Sequence, residues 1–472
     1  MKSVYKLFAI TAILCLLGGL LLGLVAGTQF LFPEVLVDVI PFQSVRPLHV
    51  SLGIWWIFLG ASSAVYFFID ALVDDSEVPI NKEWVNSASC RRLALAHYAL
   101  WVLSGFGIAY CYLNGIFGGK EYLNYPPPLS IPLAVGWICF ACNLVKSVGG
   151  LKSAWPAFMW MWFTSCAVFL VAFAEAHLWT LPWFGGNIVR DVTVQWKSYG
   201  SLVAAWNMLL YGTATCLMYF LNRDPKMLRG RMVFTLYFLG LVNSLFNWGH
   251  HTYTVPTIHW VREISYFVSM LELYILWRII ATWSRGWDTC KSLRCFKSYR
   301  FLMAVDVWVV LNLILAIALS VPAINVFAHG THIIVAHSMG TTVGINSMIL
   351  LAALHYMVQD KVPAFASSDC RIFKTAFYLL NIALLVFWCA LIGAGIEKAL
   401  ILSADPYQSY RLVLLAIRPY IMTVVGAGIV LLVCFFSILI PLLLKFIIPA
   451  NSTQTAGGAW GEQSEPSAVN AV

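Results

Sequence analysis

Ten histidines carry most of the metal chemistry open to this chain, and they fall in clusters. His250 and His251 are adjacent in NWGHHTYTVP. His329, His332 and His337 share the stretch HGTHIIVAH (329–337), and His49 follows VRPL at the head of an apolar run. Imidazole suits iron, copper or zinc, and haem iron commonly takes His or Met as axial ligand. Two adjacent imidazoles at membrane depth repel each other if both are charged, whereas one metal ion satisfies both. The pair therefore reads as metal ligands. Isolated histidines read differently: His97, His177 and His355 are expected to donate to helix carbonyls or line wet cavities, and His259 to sit at a span mouth. The twelve cysteines include no CxxCH motif for covalent haem attachment. They read as small buried side chains and free thiols, with Cys90, Cys290, Cys295 and Cys370 in loops assigned to the reducing cytoplasm.

The elements that must hold these residues follow from composition. The chain is 61% hydrophobic and only 11% charged, with a mean hydropathy of +0.81. A soluble domain carries roughly 25% charged residues, so lipid must cover much of this exterior. Aromatic residues reach 15%, which suits interfacial belts and packing around a flat cofactor. The formal charge of +8 does not point to a nucleic-acid partner, because it is concentrated in loops between apolar runs.

A span needs about 20 apolar residues to cross roughly 30 Å of hydrocarbon. Twelve such segments are legible, near 6–31, 48–72, 93–116, 129–149, 157–181, 198–222, 232–254, 261–283, 302–326, 331–357, 374–397 and 416–447. The expected fold is all-α, a polytopic membrane bundle of about 12 transmembrane helices forming one domain over 1–449. The first apolar run, Leu7 to Phe32, exceeds the roughly 7–15 residues of a signal-peptide core and is read as a span. Loops on the side of both termini hold most of the Lys and Arg, among them Arg91, Arg92, Lys226, Arg229, Arg231, Lys291, Arg294 and Lys297. By the positive-inside rule both termini face the cytoplasm. The tail 450–472, rich in Ser, Gly, Ala and Gln, is expected to be a disordered cytoplasmic segment. In this topology the span ends bearing His49, His250, His251 and His337 share one side, so their rings are expected to gather in one layer of the bundle.

The ordered set VRPLHVSLGIWW (45–56), GKEYLNYP (119–126), GHHTYTVP (249–256), SMLEL (269–273) and HGTHIIVAH (329–337) resembles the catalytic subunit of the haem–copper oxidoreductase superfamily. Within it, the nitric oxide reductase large subunit is the branch it looks most like. The resemblance implies two b-type haems, one low-spin and one high-spin, and a second metal, non-haem iron in that branch with copper as the alternative. His49 would be an axial ligand of the low-spin haem, His337 the proximal ligand of the high-spin haem, and His250 and His251 ligands of the second metal. Glu272 in SMLEL would be a proton-handling carboxylate, and Glu121 would help organise the side of the haem propionates.

The chain departs from that pattern twice. Where the family has a His two residues past the high-spin ligand, this sequence has Met339, itself a competent haem ligand that raises the reduction potential relative to His. A His49/Met339 low-spin haem is therefore expected; the alternative is that Met339 only packs, leaving that haem five-coordinate, bound through His332 or absent. On the sixth span, Tyr199, Val203 and Asn207 stand where the family brings a third His and two carboxylates. The second metal would then draw on Tyr199, Asn207, Glu272 or water, a mixed nitrogen–oxygen set that suits iron better than copper. The span also lacks the His-x-x-x-Tyr pattern of many oxygen-reducing relatives.

The resemblance implies reduction of nitric oxide to nitrous oxide in the bacterial cytoplasmic membrane. Electrons would come from a small membrane-anchored c-type cytochrome subunit, the substrate being a small gas. The alternatives are an oxygen reductase of the same superfamily, a haem-binding relative without turnover, and a secondary transporter. No inverted repeat or paired broken helices favour the last.

Overall fold

In a computed structural model describing residues 4–150, 154–271, 273–274, 296–359, 365 and 370–448, the apolar runs form long helices. Among those residues the only β-pairing is two isolated bridges. In chain order the helices are α1 (Val4–Leu31), α2 (Phe42–Ala71), α3 (Ala88–Leu113), α4 (Ser130–Ser147), α5 (Ala157–Glu175) and α6 (Ile188–Asn222). There follow α7 (Arg231–Phe246), α8 (His259–Met270), α9 (Lys297–Ser320), α10 (His332–Gln359), α11 (Arg371–Ala404) and α12 (Tyr410–Ile447). Among the described residues eleven candidate spans are long and apolar enough to cross a membrane, in agreement with about twelve expected. The eighth expected span, 261–283, begins in α8, but Glu272 and 275–295 lie outside the described residues, as does the tail beyond 448.

Several helices differ in length from the expected spans, because apolar windows record the hydrocarbon and miss polar turns at its rim. The sixth starts at Ile188 rather than near 198, where the Asn187 side chain accepts from the Arg190 amide as an N-cap. The ninth stops at Ser320 rather than 326. Pro322 has no amide to extend that ladder and opens a separate short helix, Pro322–Ala328.

Helix α1 shows how the sequence sorts lipid from protein. Leu7, Leu14 and Leu21, seven residues apart, are exposed, while Phe8, Ala12, Leu16 and Gly19 are buried. The small residues on the buried side let α1 approach α2 closely, as small residues do between membrane helices. Helices α3 with α4, α5 with α6, α9 with α10 and α11 with α12 form further packed pairs, and α12 closes on α1. The innermost elements are α2 and α10, each 83% buried over its most apolar window. The far rim of the bundle, opposite Val4, carries the ion pairs Arg46–Glu121, Lys120–Asp191 and Lys197–Glu175.

Candidate functional site

Between α1, α2, α6, α7, α9 and α10 lies an internal cavity of about 510 Å³. His49, His250, His251 and His337 all line it, and so do Met339, Tyr199 and Asn207. Four imidazoles from three distant stretches thus meet around one space. His332 is outside that lining, with its ring edge-on to Phe30 of α1 at 6.0 Å.

His49 is oriented by the helix next to it. Its Nδ1 lies 2.7 Å from the Gly19 carbonyl of α1. A carbonyl only accepts, so Nδ1 carries the proton and Nε2 keeps its lone pair, the arrangement that presents a histidine to iron. Gly23 makes room for the ring: a Cβ there would stand 2.7 Å from His49 Cε1.

The His pair sits in the turn Asn247–Thr252 after α7. The two Nε2 atoms are 3.1 Å apart. Two imidazole nitrogens at 2.0–2.1 Å from a single ion, at angles from square to tetrahedral, are separated by roughly 2.9–3.4 Å. The pair fits a shared metal. Trp196 of α6 lies flat on His251, and His329 meets the same indole edge-on, with ring centroids 5.5 Å apart. His251 Nδ1, His329 Nε2 and His337 Nδ1 are buried without a hydrogen-bond partner. Such atoms cost about 1–3 kcal/mol each unless something completes them, and those of His251 and His337, which line the cavity, match the donor needs of a metal or haem group. Among the described residues no three His, Cys, Asp or Glu side chains already converge at ligand distance. Burial lowers the pKa of His329, which lies outside the spans, and keeps its ring neutral.

The sixth span offers oxygen where the family pattern has imidazole. Tyr199 is buried, its hydroxyl lacks a partner, and its ring meets Tyr122 edge-on at 5.6 Å. Asn207 Oδ1 accepts from Asn346 Nδ2 of α10 at 3.3 Å. The next residue after Tyr199 has no space for an imidazole either: a Cβ on Gly200 would stand 2.7 Å from Trp248 Cβ, two residues before His250. Tyr122 adopts φ +67°, a left-handed conformation rare for a bulky residue, on the cavity wall.

His337 and Met339 project from the first turns of α10. Just beyond them Gly340–Ser347 is π-helical, a local widening common at functional sites. Thr341 ties this stretch down: its hydroxyl donates to the His337 carbonyl and accepts from Asn312 Nδ2 of α9. Met339 both lines the cavity and packs on the hydrophobic core. Glu121 pairs with Arg46 at the far rim. Among the isolated histidines, His97 sits in an aromatic nest with Nδ1 3.3 Å from the Tyr66 hydroxyl. His355 and His177 use Nδ1 on the carbonyls of Leu351 and Phe173, and His259 is exposed.

Sequence reasoning missed Trp196, Tyr122, Tyr125 and Asn346. Trp196 stands three residues before Tyr199 on one helix face, which is a usable signal. The others reach the site through turns and interhelical contacts that no local spacing encodes.

A membrane bundle whose scattered histidines surround one cavity defines a class, the polytopic membrane proteins with a histidine-lined interior. The profile of the cytochrome c and quinol oxidase polypeptide I family matches residues 3–430, and the chain belongs to that family. It is 20% identical over 429 residues to a nitric oxide reductase subunit of Stutzerimonas stutzeri, covering 84% of each chain. It is 21% identical to a cytochrome c oxidase subunit 1 homolog of Agrobacterium tumefaciens (strain T37), over 81% of this chain and 71% of that one. Cytochrome c oxidase subunit 1 of Rhodobacter capsulatus is 23% identical, over 81% of this chain and 73% of that one. In fold it is similar to a haem–copper terminal oxidase dimer solved by cryo-electron microscopy, with TM-score 0.69, 14% identity, and coverage of 95% of this chain and 85% of that one. Subunits of this family are membrane oxidoreductases that bind haems and a second metal and work with partner subunits.

Proposed function

We propose that this chain reduces nitric oxide to nitrous oxide, two NO, two electrons and two protons becoming N2O and water. In this reading His49 and Met339 hold a low-spin haem b, His337 a high-spin haem b, and His250 and His251 a non-haem iron. When bound, these groups supply the electrons and the Lewis acidity the gas requires. The chain itself presents the nitrogens and delivers protons. Glu272, outside the described residues, is assigned proton handling from its sequence setting. Electrons come from a c-type cytochrome subunit, and the chain lies in a bacterial cytoplasmic membrane with both termini inside.

The observation that carries the choice of nitric oxide is the donor set. Two Nε2 atoms 3.1 Å apart belong to residues that line one cavity with Tyr199 and Asn207, and α6 offers no third imidazole. Mixed nitrogen and oxygen donors suit iron better than copper. Oxygen reduction is the second reading, favoured by the likeness to two cytochrome c oxidase subunits. Metal and haem quantitation on the purified complex, with turnover measured under each gas, tests the choice. Iron without copper, together with NO consumption, is expected. Copper with O2 consumption and no NO turnover overturns the proposal.

A further inference from the structure

Helix α9 ends at Ser320, because Pro322 has no amide to continue its ladder. The Ile324 and Asn325 amides turn to the Val321 carbonyl instead, so the carbonyls of Leu319 and Ser320 lose their helical partners. Side chains take that place. Asn325 Nδ2 donates to the Leu319 carbonyl at 2.8 Å, and the Tyr253 hydroxyl donates to the Ser320 carbonyl at 3.1 Å. Tyr253 stands two residues beyond His251, so this bond ties the turn carrying the His pair to the end of α9. The turn is closed locally by Thr252, whose buried hydroxyl donates to the Gly249 carbonyl at 2.8 Å. Gly249 lies against α8, where a Cβ would stand 2.7 Å from Ser265 Cβ.

The same helix holds the stretch that carries His337. Asn312 Nδ2 of α9 donates to Thr341 Oγ1 at 2.8 Å, and Thr341 Oγ1 donates to the His337 carbonyl at 3.2 Å. Asn312 and Ser320 are eight residues apart on α9, about 12 Å along its axis. Both line the cavity, as do His250, His251 and His337. We propose that α9 is the spacer that fixes how far the His pair stands from His337, with Tyr253 clamping one side to its end and Asn312, through Thr341, clamping the other. Two centres that act on one small molecule need such a spacer, since a misplacement of about 1 Å costs on the order of 100-fold in rate. Tyr253 stands outside the cavity lining and acts through the turn it holds, so it is a positioning residue.

The inference rests on the reading of His250, His251 and His337 as metal and haem ligands, but it holds for either gas. The test compares the purified holo-protein with Tyr253→Phe, Thr341→Val and Thr341→Ser, each checked first for an intact low-spin haem spectrum. The second metal is withdrawn with a chelator and returned as Fe(II), while its retention and the midpoint potential of the high-spin haem are followed. The charge of the ion raises that potential by an amount that falls with separation. Tyr253→Phe is expected to hold Fe(II) about 10-fold more weakly. At saturating Fe(II) the rise in potential is expected to shrink in Tyr253→Phe and in Thr341→Val, and Thr341→Ser, which keeps the hydroxyl, to restore it. A parent-sized rise in either Tyr253→Phe or Thr341→Val, or no rise in the parent, overturns the spacer. Absence of NO turnover in a parent whose rise still depends on both hydroxyls overturns the nitric oxide reading and leaves the spacer standing.

Discussion

Trp196 lies flat against His251, with ring centroids 4.9 Å apart and planes within 10° of parallel. An indole stacked in this offset, near-parallel way restrains the imidazole's plane, and so the direction of its lone pairs. Outer partners of this kind typically contribute 10–100-fold to metal affinity. Trp196→Leu is expected to lower second-metal content by about that factor while both haem spectra persist. Metal analysis of the purified variant showing parent-like occupancy would refute this role.

His250 and His251 should act as a unit, since their Nε2 atoms are 3.1 Å apart. Either His→Ala change is expected to remove most of the second metal and at least about 100-fold of gas turnover. The low-spin haem spectrum should be unchanged. A single substitution that leaves metal stoichiometry intact counts against the pair as ligands.

Gly23 is where α1 yields space to His49. Gly23→Val would place a branched side chain where even a Cβ stands 2.7 Å from the ring. Overpacking of this kind costs about 1–3 kcal/mol. Displacement of the ring should cost the low-spin haem before the fold, seen as loss of its sharp α-band at retained expression. Gly23→Val with an undiminished band means His49 is not an axial ligand.

Met339 sets a testable sign. Thioether ligation holds the ferrous form better than a second imidazole does, so Met339→His should lower the low-spin midpoint potential. Met339→Leu should abolish the six-coordinate signal. Potentiometric titration with optical detection reads both, and unchanged low-spin signals in Met339→Leu would remove Met339 from the assignment.

Asn207 and Asn346 bridge α6 and α10 at 3.3 Å. Asn346 is fully buried. Truncating it to Ala leaves Asn207 short of a donor at the cavity, with an expected stability loss of about 1–3 kcal/mol. A double-mutant cycle by thermal unfolding in detergent should return a coupling of about 0.5 kcal/mol or more. Strict additivity would show the two amides to be independent.

Much of this was legible in the sequence, and for identifiable reasons. Lipid imposes a length and an apolar composition on every span, so all-α architecture and the positions of eleven spans could be read before any coordinates. The same solvent makes a buried imidazole costly, which is why His49, His250, His251 and His337 stood out as a set, and they do share one cavity. Composition did not fix helix ends, because caps such as Asn187 and breaks such as Pro322 act outside the hydrocarbon.

Which face each ring presents depended on tertiary contacts alone. The lone pair on His49 is freed by a carbonyl on another helix, the plane of His251 is set by Trp196, and Gly200 has no room for a third imidazole because Trp248 packs against it. Hydrophobic periodicity encodes depth and facing, and these persist along a helix. Rotamers and interhelical approach are decided pair by pair between residues far apart in the chain, so only the assembled bundle determines them.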